Sequence, residues 1–259
     1  MIILKLGGSV VTDKGNPMTA DHPAIRQLAL EIAASGNRDL IVVHGGGSYG
    51  HPLASKYRIA DGLKEESQVL GFSKTHNAML ELNKMIIDAL IEQDIPAFPL
   101  SPSSFIVTEN GRIKTLQSEA ISLLLRAGLV PVLFGDAVLD SHRGCSVLSG
   151  DQLATRLATD LDASGLVFGV DVDGVYTSNP KLNQNATLIR HLSISGVESI
   201  AHIEGSTQTD ITGGMLGKVR EAIPAVNSGI RVIVLNAKRP GNILKILKGE
   251  EVIATILEM

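Results

Sequence analysis

Leu40-Ile41-Val42-Val43-His44-Gly45-Gly46-Gly47-Ser48-Tyr49-Gly50-His51 decides the architecture of this 259-residue chain. Four apolar, mostly β-branched residues run into three glycines, as a buried parallel strand does where it turns toward a helix. The same unit recurs on either side. Upstream, Ile2 to Leu6 runs into Gly7-Gly8-Ser9, and Ile25, Leu28, Ala29 and Ile32 then share one face of a helix stopped by Gly36. Downstream, residues 130–134, 166–170, 231–235 and 252–257 read as strands. Residues 65–93, the longest helical stretch, read as one long helix or two abutting ones, with Val69, Phe72, Met79, Met85, Ile86 and Leu90 among the apolar positions. This alternation specifies an α/β class around a parallel sheet.

Between Pro96 and Asp151 the pattern changes. Asn110-Gly111, flanked by Ile106-Val107 and Ile113, predicts a type I′ hairpin, and residues 137–139 and 145–148 can pair across a glycine-containing turn. A helix over 118–127 closes at Gly128, and another begins near Asp151. A loop is expected over 204–214, followed by a helix to about Ser228. Without a linker-like break in composition, one continuous sheet carrying two lobes is expected.

Composition narrows the function. A net charge of −4, five Phe, three Tyr and no Trp argue against a basic, base-stacking surface for nucleic acid. The single cysteine, Cys145, cannot close an internal disulfide, which points to a reducing, cytoplasmic setting. No apolar run approaches the roughly 18 residues that span a bilayer, and MIILKLGGSVV has no basic leader, so neither membrane nor export is expected. A small-molecule protein is favoured.

Several stretches carry chemistry. Glycines after the second strand let backbone N–H groups cradle phosphate oxygens, although a tight crossover turn would also use them. Gly45 to Gly50 satisfies G-x-G-x-x-G, but Glu65 and Glu66 open a helix where the dinucleotide fold wants an acid closing the next strand. The P-loop pattern fails at His51-Pro52, where Lys-Ser/Thr belongs. Lys5 interrupts an apolar strand just before a glycine pair, either as an edge-strand lysine or as an ammonium at the ligand-binding end of the sheet. Lys14 follows in a polar loop. Asp151 fits a helix N-cap, or a carboxylate that holds lysines beside a phosphate. Asp171, Asp173, Gly174, Tyr176 and Asn179-Pro180 follow a strand and suit turn chemistry. Thr212-Gly213-Gly214-Met215-Leu216-Gly217-Lys218 enters a helix with a lysine near its N-terminus, where an anionic partner is called for.

The ordered set KLGGS, HGGGS, SGDQLA, VDVDGVYTSNP and TGGMLGK, spread over most of the chain, resembles the amino acid kinase family. The resemblance implies a three-layer αβα sandwich, a mostly parallel sheet of about eight strands, and a homodimer or larger assembly. HGGGSYGH, with its second histidine, is most similar to the branch that phosphorylates isopentenyl phosphate to isopentenyl diphosphate with ATP and Mg²⁺. On that likeness, residues 1–160 hold the acceptor and 161–259 the nucleotide. Lys5, Lys14 and Lys218 neutralise the phosphoryl groups and Asp151 orients Lys5 and Lys218. Gly7, Gly8, Ser9, Gly47 and Gly217 meet the ATP phosphates, while Asp171, Tyr176, Lys181 and Gly213 border the nucleoside. Gly46, His51 and Gly150 hold the acceptor phosphate. Asn179 departs from the Asp that many members carry before this proline. Phe72, His76, Met79 and Ile86 lie at one-turn spacing and suit either a prenyl tail or ordinary core. Rival readings are another small acceptor on the same fold, such as a phosphonate, carbamate or acylamino acid; a silent metabolite sensor; and a dinucleotide oxidoreductase.

Overall fold

The computed structural model describes residues 1–13, 15–201 and 214–259. Its main sheet has eight strands, taken here in chain order: β1 (Ile2–Leu6), β2 (Leu40–His44), β3 (Ala97–Pro99), β6 (Val130–Phe134), β9 (Gly165–Val170), β10 (His191–Ser193), β11 (Arg231–Asn236) and β12 (Ala254–Glu258). They lie in the order β10-β12-β11-β9-β1-β2-β6-β3. All neighbours are parallel except β11 and β12. The helices are α1 (Gly8–Val11), α2 (His22–Ser35), α3 (Gly47–Lys56), α4 (Glu66–Ile91), α5 (Glu119–Arg126), α6 (Gly150–Asp160), α7 (Ile194–Ala201), α8 (Gly214–Asn227) and α9 (Asn242–Leu247). Among the described residues no helix is long and apolar enough to cross a membrane.

Strand parity sorts the layers, because successive side chains point to opposite faces. Leu4, Leu6, Leu40, Val42, Val132 and Phe134 face one layer with α2, the inner side of α4, and α9. Ile3, Ile41, Val43, Leu133 and Phe168 face the other, with Leu153 and Leu157 of α6 and Val219 and Ala222 of α8. Lys5 shares parity with Ile3, so its side chain is directed toward the α6 and α8 layer. β1 is a central strand between β2 and β9. The helix after β1 lies on one face and the helix before β9 on the other, and a crevice opens beyond the carboxyl end of β1 at such a reversal.

The expectation of one continuous sheet is corrected. A separate four-stranded sheet is formed by β4 (Ile106–Glu109), β5 (Arg112–Leu116), β7 (Asp136–Asp140) and β8 (Gly144–Leu148), in the order β5-β4-β7-β8. The Asn110-Gly111 hairpin forms as expected, with φ of 51° and 80° at its two turn residues. Asp140 fastens it, accepting from the N–H groups of Gly111, His142 and Arg143 and from the Thr108 hydroxyl. Gln152 of α6 accepts from the Ile113 N–H and donates to the Gly111 carbonyl. Arg112 pairs with Glu221 of α8. The small sheet therefore braces the two helices on which Asp151 and Lys218 are mounted. Residues 65–93 give one helix, but Val69 is 55% exposed and faces solvent instead of core.

Candidate active site

Two glycine turns make the floor of the site by touching back to back. A Cβ on Gly8 would lie 2.3 Å from the Gly47 nitrogen, and one on Gly47 would lie 2.0 Å from the Thr12 hydroxyl oxygen. Gly47 also has a φ of +47°, which side chains rarely adopt. The Thr12 hydroxyl donates to the Gly8 carbonyl and accepts from the Ser48 N–H, locking the turns together. Gly8 and Gly47 are there because one backbone approaches the other too closely for a Cβ. Gly8→Ala is expected to destabilise the fold by about 1–3 kcal/mol, as overpacking does, readable as a lower midpoint in chemical denaturation.

Above this floor lies a triad of charges. Lys5 Nζ is 2.6 Å from one Asp151 carboxylate oxygen, and Lys218 Nζ donates to the other at 2.9 Å. Lys5 and Asp151 are about 3–4% exposed, whereas the Lys218 side chain keeps 18% exposure. Burial lowers the Lys5 pKa to about 8, opposed by Asp151 and reinforced by the nearby Lys218 ammonium. Burial alone would raise the Asp151 carboxyl, but the two ammoniums outweigh it and hold the group at about 2. Asp151 is thus an anion at neutral pH with both oxygens engaged. Two cations to one anion leave a net positive cage.

Asp151 is not the cap of its helix. Ser149 is, its hydroxyl accepting from the Gln152 N–H, which leaves Asp151 in the first turn aimed at the lysines. Nor does Lys5 sit on an edge strand. The anionic partner sought for Lys218 is found within the protein itself.

Lys5, Gly46, His51, Gly150, Asp151 and Lys218 all line one cavity. His51 lies in α3, whose first turn begins at Gly46-Gly47. Gly135 and Gly150 approach closely: a Cβ on Gly135 would lie 2.8 Å from the Gly150 nitrogen. Apolar side chains of Ala54, Met79 and Val147 also line the cavity. Of the helical stripe read as tail or core, Met79 lines this cavity, Ile86 is core, and Phe72 packs on the small cluster of Ala54, Ile59, Ala137 and Cys145.

Gly7, Gly8 and Ser9 follow β1 at the same end of the sheet, and the Gly7 N–H donates to the Gly169 carbonyl of β9. Asp171 and Lys181 form an ion pair in the loop beyond β9, and Tyr176 bridges to Leu188. Asn179 accepts from the Lys181 N–H. Gly217 lies in α8 beside Lys218. Lys14, Gly213 and most of the loop expected over 204–214 lie outside the described residues. Among those described, no group of three or more His, Cys, Asp and Glu side chains gathers that could hold a metal ion.

Two features escaped sequence reasoning. His44, fully buried, stacks on Phe134 and donates from Nδ1 to the Gly45 carbonyl; burial lowers its pKa to about 4, so it is neutral. His76 of α4 pairs with Asp136 of β7. The first is signalled by the HGGG motif; the second has no local signal.

A model of the amino acid kinase family matches residues 1–236. The chain belongs to that family. An isopentenyl phosphate kinase of Methanothermobacter thermautotrophicus is 42% identical, with 98% of each chain covered. One from Methanocaldococcus jannaschii is 36% identical over 96% of each. A solved isopentenyl phosphate kinase superposes with a TM-score of 0.87 at 39% identity over 99% of each chain, and another, in a substrate complex, at 0.79 and 31% over the full length of both.

Proposed function

We infer that this chain transfers the γ-phosphoryl group of ATP to isopentenyl phosphate, giving isopentenyl diphosphate and ADP. The observation that carries the reading is one cavity holding two ammoniums bridged by a carboxylate, a histidine, and an apolar wall. Relatives bearing that activity across the full length of the chain support it. A phosphate monoester is already largely dianionic near neutral pH, its second pKa being about 6 as in phosphorylated side chains. The task is therefore to align two anions and offset their repulsion, with no need for a general base.

Lys5 and Lys218 would sit on the transferring phosphoryl group, held apart and aimed by Asp151. Donor phosphates would be met by N–H groups of Gly8, Ser9, Gly47 and Gly217, with Lys14 near the donor; Gly7, whose own N–H is taken by the Gly169 carbonyl, would shape the turn beside them. Asp171, Tyr176, Lys181 and Gly213 would border the nucleoside. Acceptor phosphate would take bonds from His51 and the backbone of Gly46 and Gly150, with its prenyl tail against Ala54, Met79 and Val147. Residues 1–160 then hold the acceptor and 161–259 the nucleotide. Mg²⁺ would be held by the phosphates of ATP and water, supplying charge neutralisation. We also propose a cytoplasmic homodimer, on the family resemblance.

The test is an ADP-release assay with isopentenyl phosphate, fosfomycin, carbamate and acetylglutamate side by side. Isopentenyl phosphate is expected to be turned over fastest; preference for another acceptor would refute the assignment. Replacing His51 by Ala removes one charge-assisted hydrogen bond, so the KM for isopentenyl phosphate should rise by roughly ten- to a hundredfold. ATP affinity by calorimetry should be unchanged, and a selective loss of ATP binding would contradict the role given to His51.

A further inference from the structure

A site for two anions contains a second carboxylate that the mechanism above does not use. Asp136 lines the same cavity as Lys5, His51 and Lys218, beside Gly135 and Gly150. Its side chain is wholly buried. Its Oδ1 accepts the Ala137 N–H at 2.8 Å, and His76 Nδ1 lies 3.0 Å from Oδ1 and 2.9 Å from Oδ2. Ser103 Oγ lies 3.4 Å from the same imidazole nitrogen, and Ser103 is joined in turn to Ser101. An uncompensated negative charge here would repel an incoming phosphate through a low-dielectric wall.

We propose that His76 is a positioning residue for acceptor affinity, its imidazolium cancelling the Asp136 carboxylate from behind the cavity wall so that the pocket stays net positive toward phosphate. His76 does not itself line the cavity, and its ring packs against Phe134, which fixes its place. Hydrogen bonding to Asp136 raises the His76 pKa, against a smaller opposing effect of burial, while burial raises the Asp136 carboxyl with His76 the largest influence holding it down, so each group favours the charged form of the other. A carboxylate at this point also explains what ties α4, the turn at 102–104 and β7 together around the acceptor end.

The proposal rests on the acceptor assigned above, and its test separates the two. His76→Gln keeps a hydrogen-bond donor against Asp136 but removes the charge. The KM for isopentenyl phosphate should rise about tenfold with kcat and the KM for ATP within about twofold of the unaltered enzyme. Adding Asp136→Asn should bring that KM back to within about twofold, because nothing is left to compensate. An unchanged acceptor KM in His76→Gln, a rise shared equally by ATP, or a rise that Asp136→Asn deepens would each overturn the proposal. If the unaltered enzyme turns over no isopentenyl phosphate, the acceptor assignment falls. The pair is then judged on inorganic phosphate by calorimetry, where the same weakening in His76→Gln and recovery in the double variant are required. Should His76→Gln fail to fold, the double variant decides alone: a folded, active enzyme with ordinary acceptor KM supports charge cancellation, and an unfolded one refutes it in favour of a purely structural tie.

Discussion

Lys218→Ala should lower kcat by about two to four orders of magnitude while leaving the fold intact, in line with the loss of a donor aimed at developing transition-state charge. Lys218 is the member of the triad with remaining exposure, 18% of its side chain, and its partner oxygen on Asp151 is 2.9 Å away. Without it, Lys5 and Asp151 form a neutral pair, and the cage loses its surplus positive charge just where two phosphate groups must meet. The effect should fall on kcat more than on either KM if the ammonium acts on the transferring group. Steady-state ADP release, with circular dichroism to confirm folding, reads it. A folded variant retaining near-full turnover would remove the mechanism.

Asp151→Asn should cost both stability and alkaline tolerance. Taking one partner from a buried ion pair leaves charge without compensation, worth about 3–5 kcal/mol, and here two ammoniums lose the same carboxylate. Lys5 already releases its proton at about 8, well below the usual lysine range. In the native protein its charge is therefore lost as pH rises through about 8, and the alkaline limb of kcat/KM, which reports the free enzyme, should fall there. Removing Asp151 removes the attraction that opposes desolvation, so the limb should move to lower pH. The linkage runs the other way for stability: between about 8 and the ordinary lysine value of 10.5 the unfolded chain binds more protons than the native one, so the penalty of burying a charged Lys5 is relieved as pH rises through that window. A pH–rate profile with an unmoved alkaline limb in Asp151→Asn would sink this account of Lys5.

The main sheet was legible because its central strands are short β-branched runs that end in glycine, and because parity alone sends Lys5 toward α6 and α8. The smaller sheet was legible only in its hairpins. What joins them is a parallel contact of two residue pairs, Val107 with Leu139 and Thr108 with Asp140, and Asp140 secures it through bonds up to 32 residues away in sequence. No local pattern encodes such a contact. Val69 misled because an apolar residue on a long helix says nothing about which side is covered. Within the site, Lys5 announced itself by interrupting an apolar strand, and the lysine of α8 by standing where the helix dipole disfavours it. Asp151 was ambiguous with an N-cap until Ser149 proved to fill that place. The pairing of His76 with Asp136 spans 60 residues and connects a helix to a strand of the other sheet, so only the fold could reveal it.

The bridge from Lys5 through Asp151 to Lys218 joins the first strand of the chain to its last long helix. Its members come from opposite ends of the chain, so the loop that must close to bring them together is long and entropically costly. During refolding, helical signal should return before catalysis does, and a ribosome-bound chain that has yet to release α8 is catalytically silent however complete its N-terminal half.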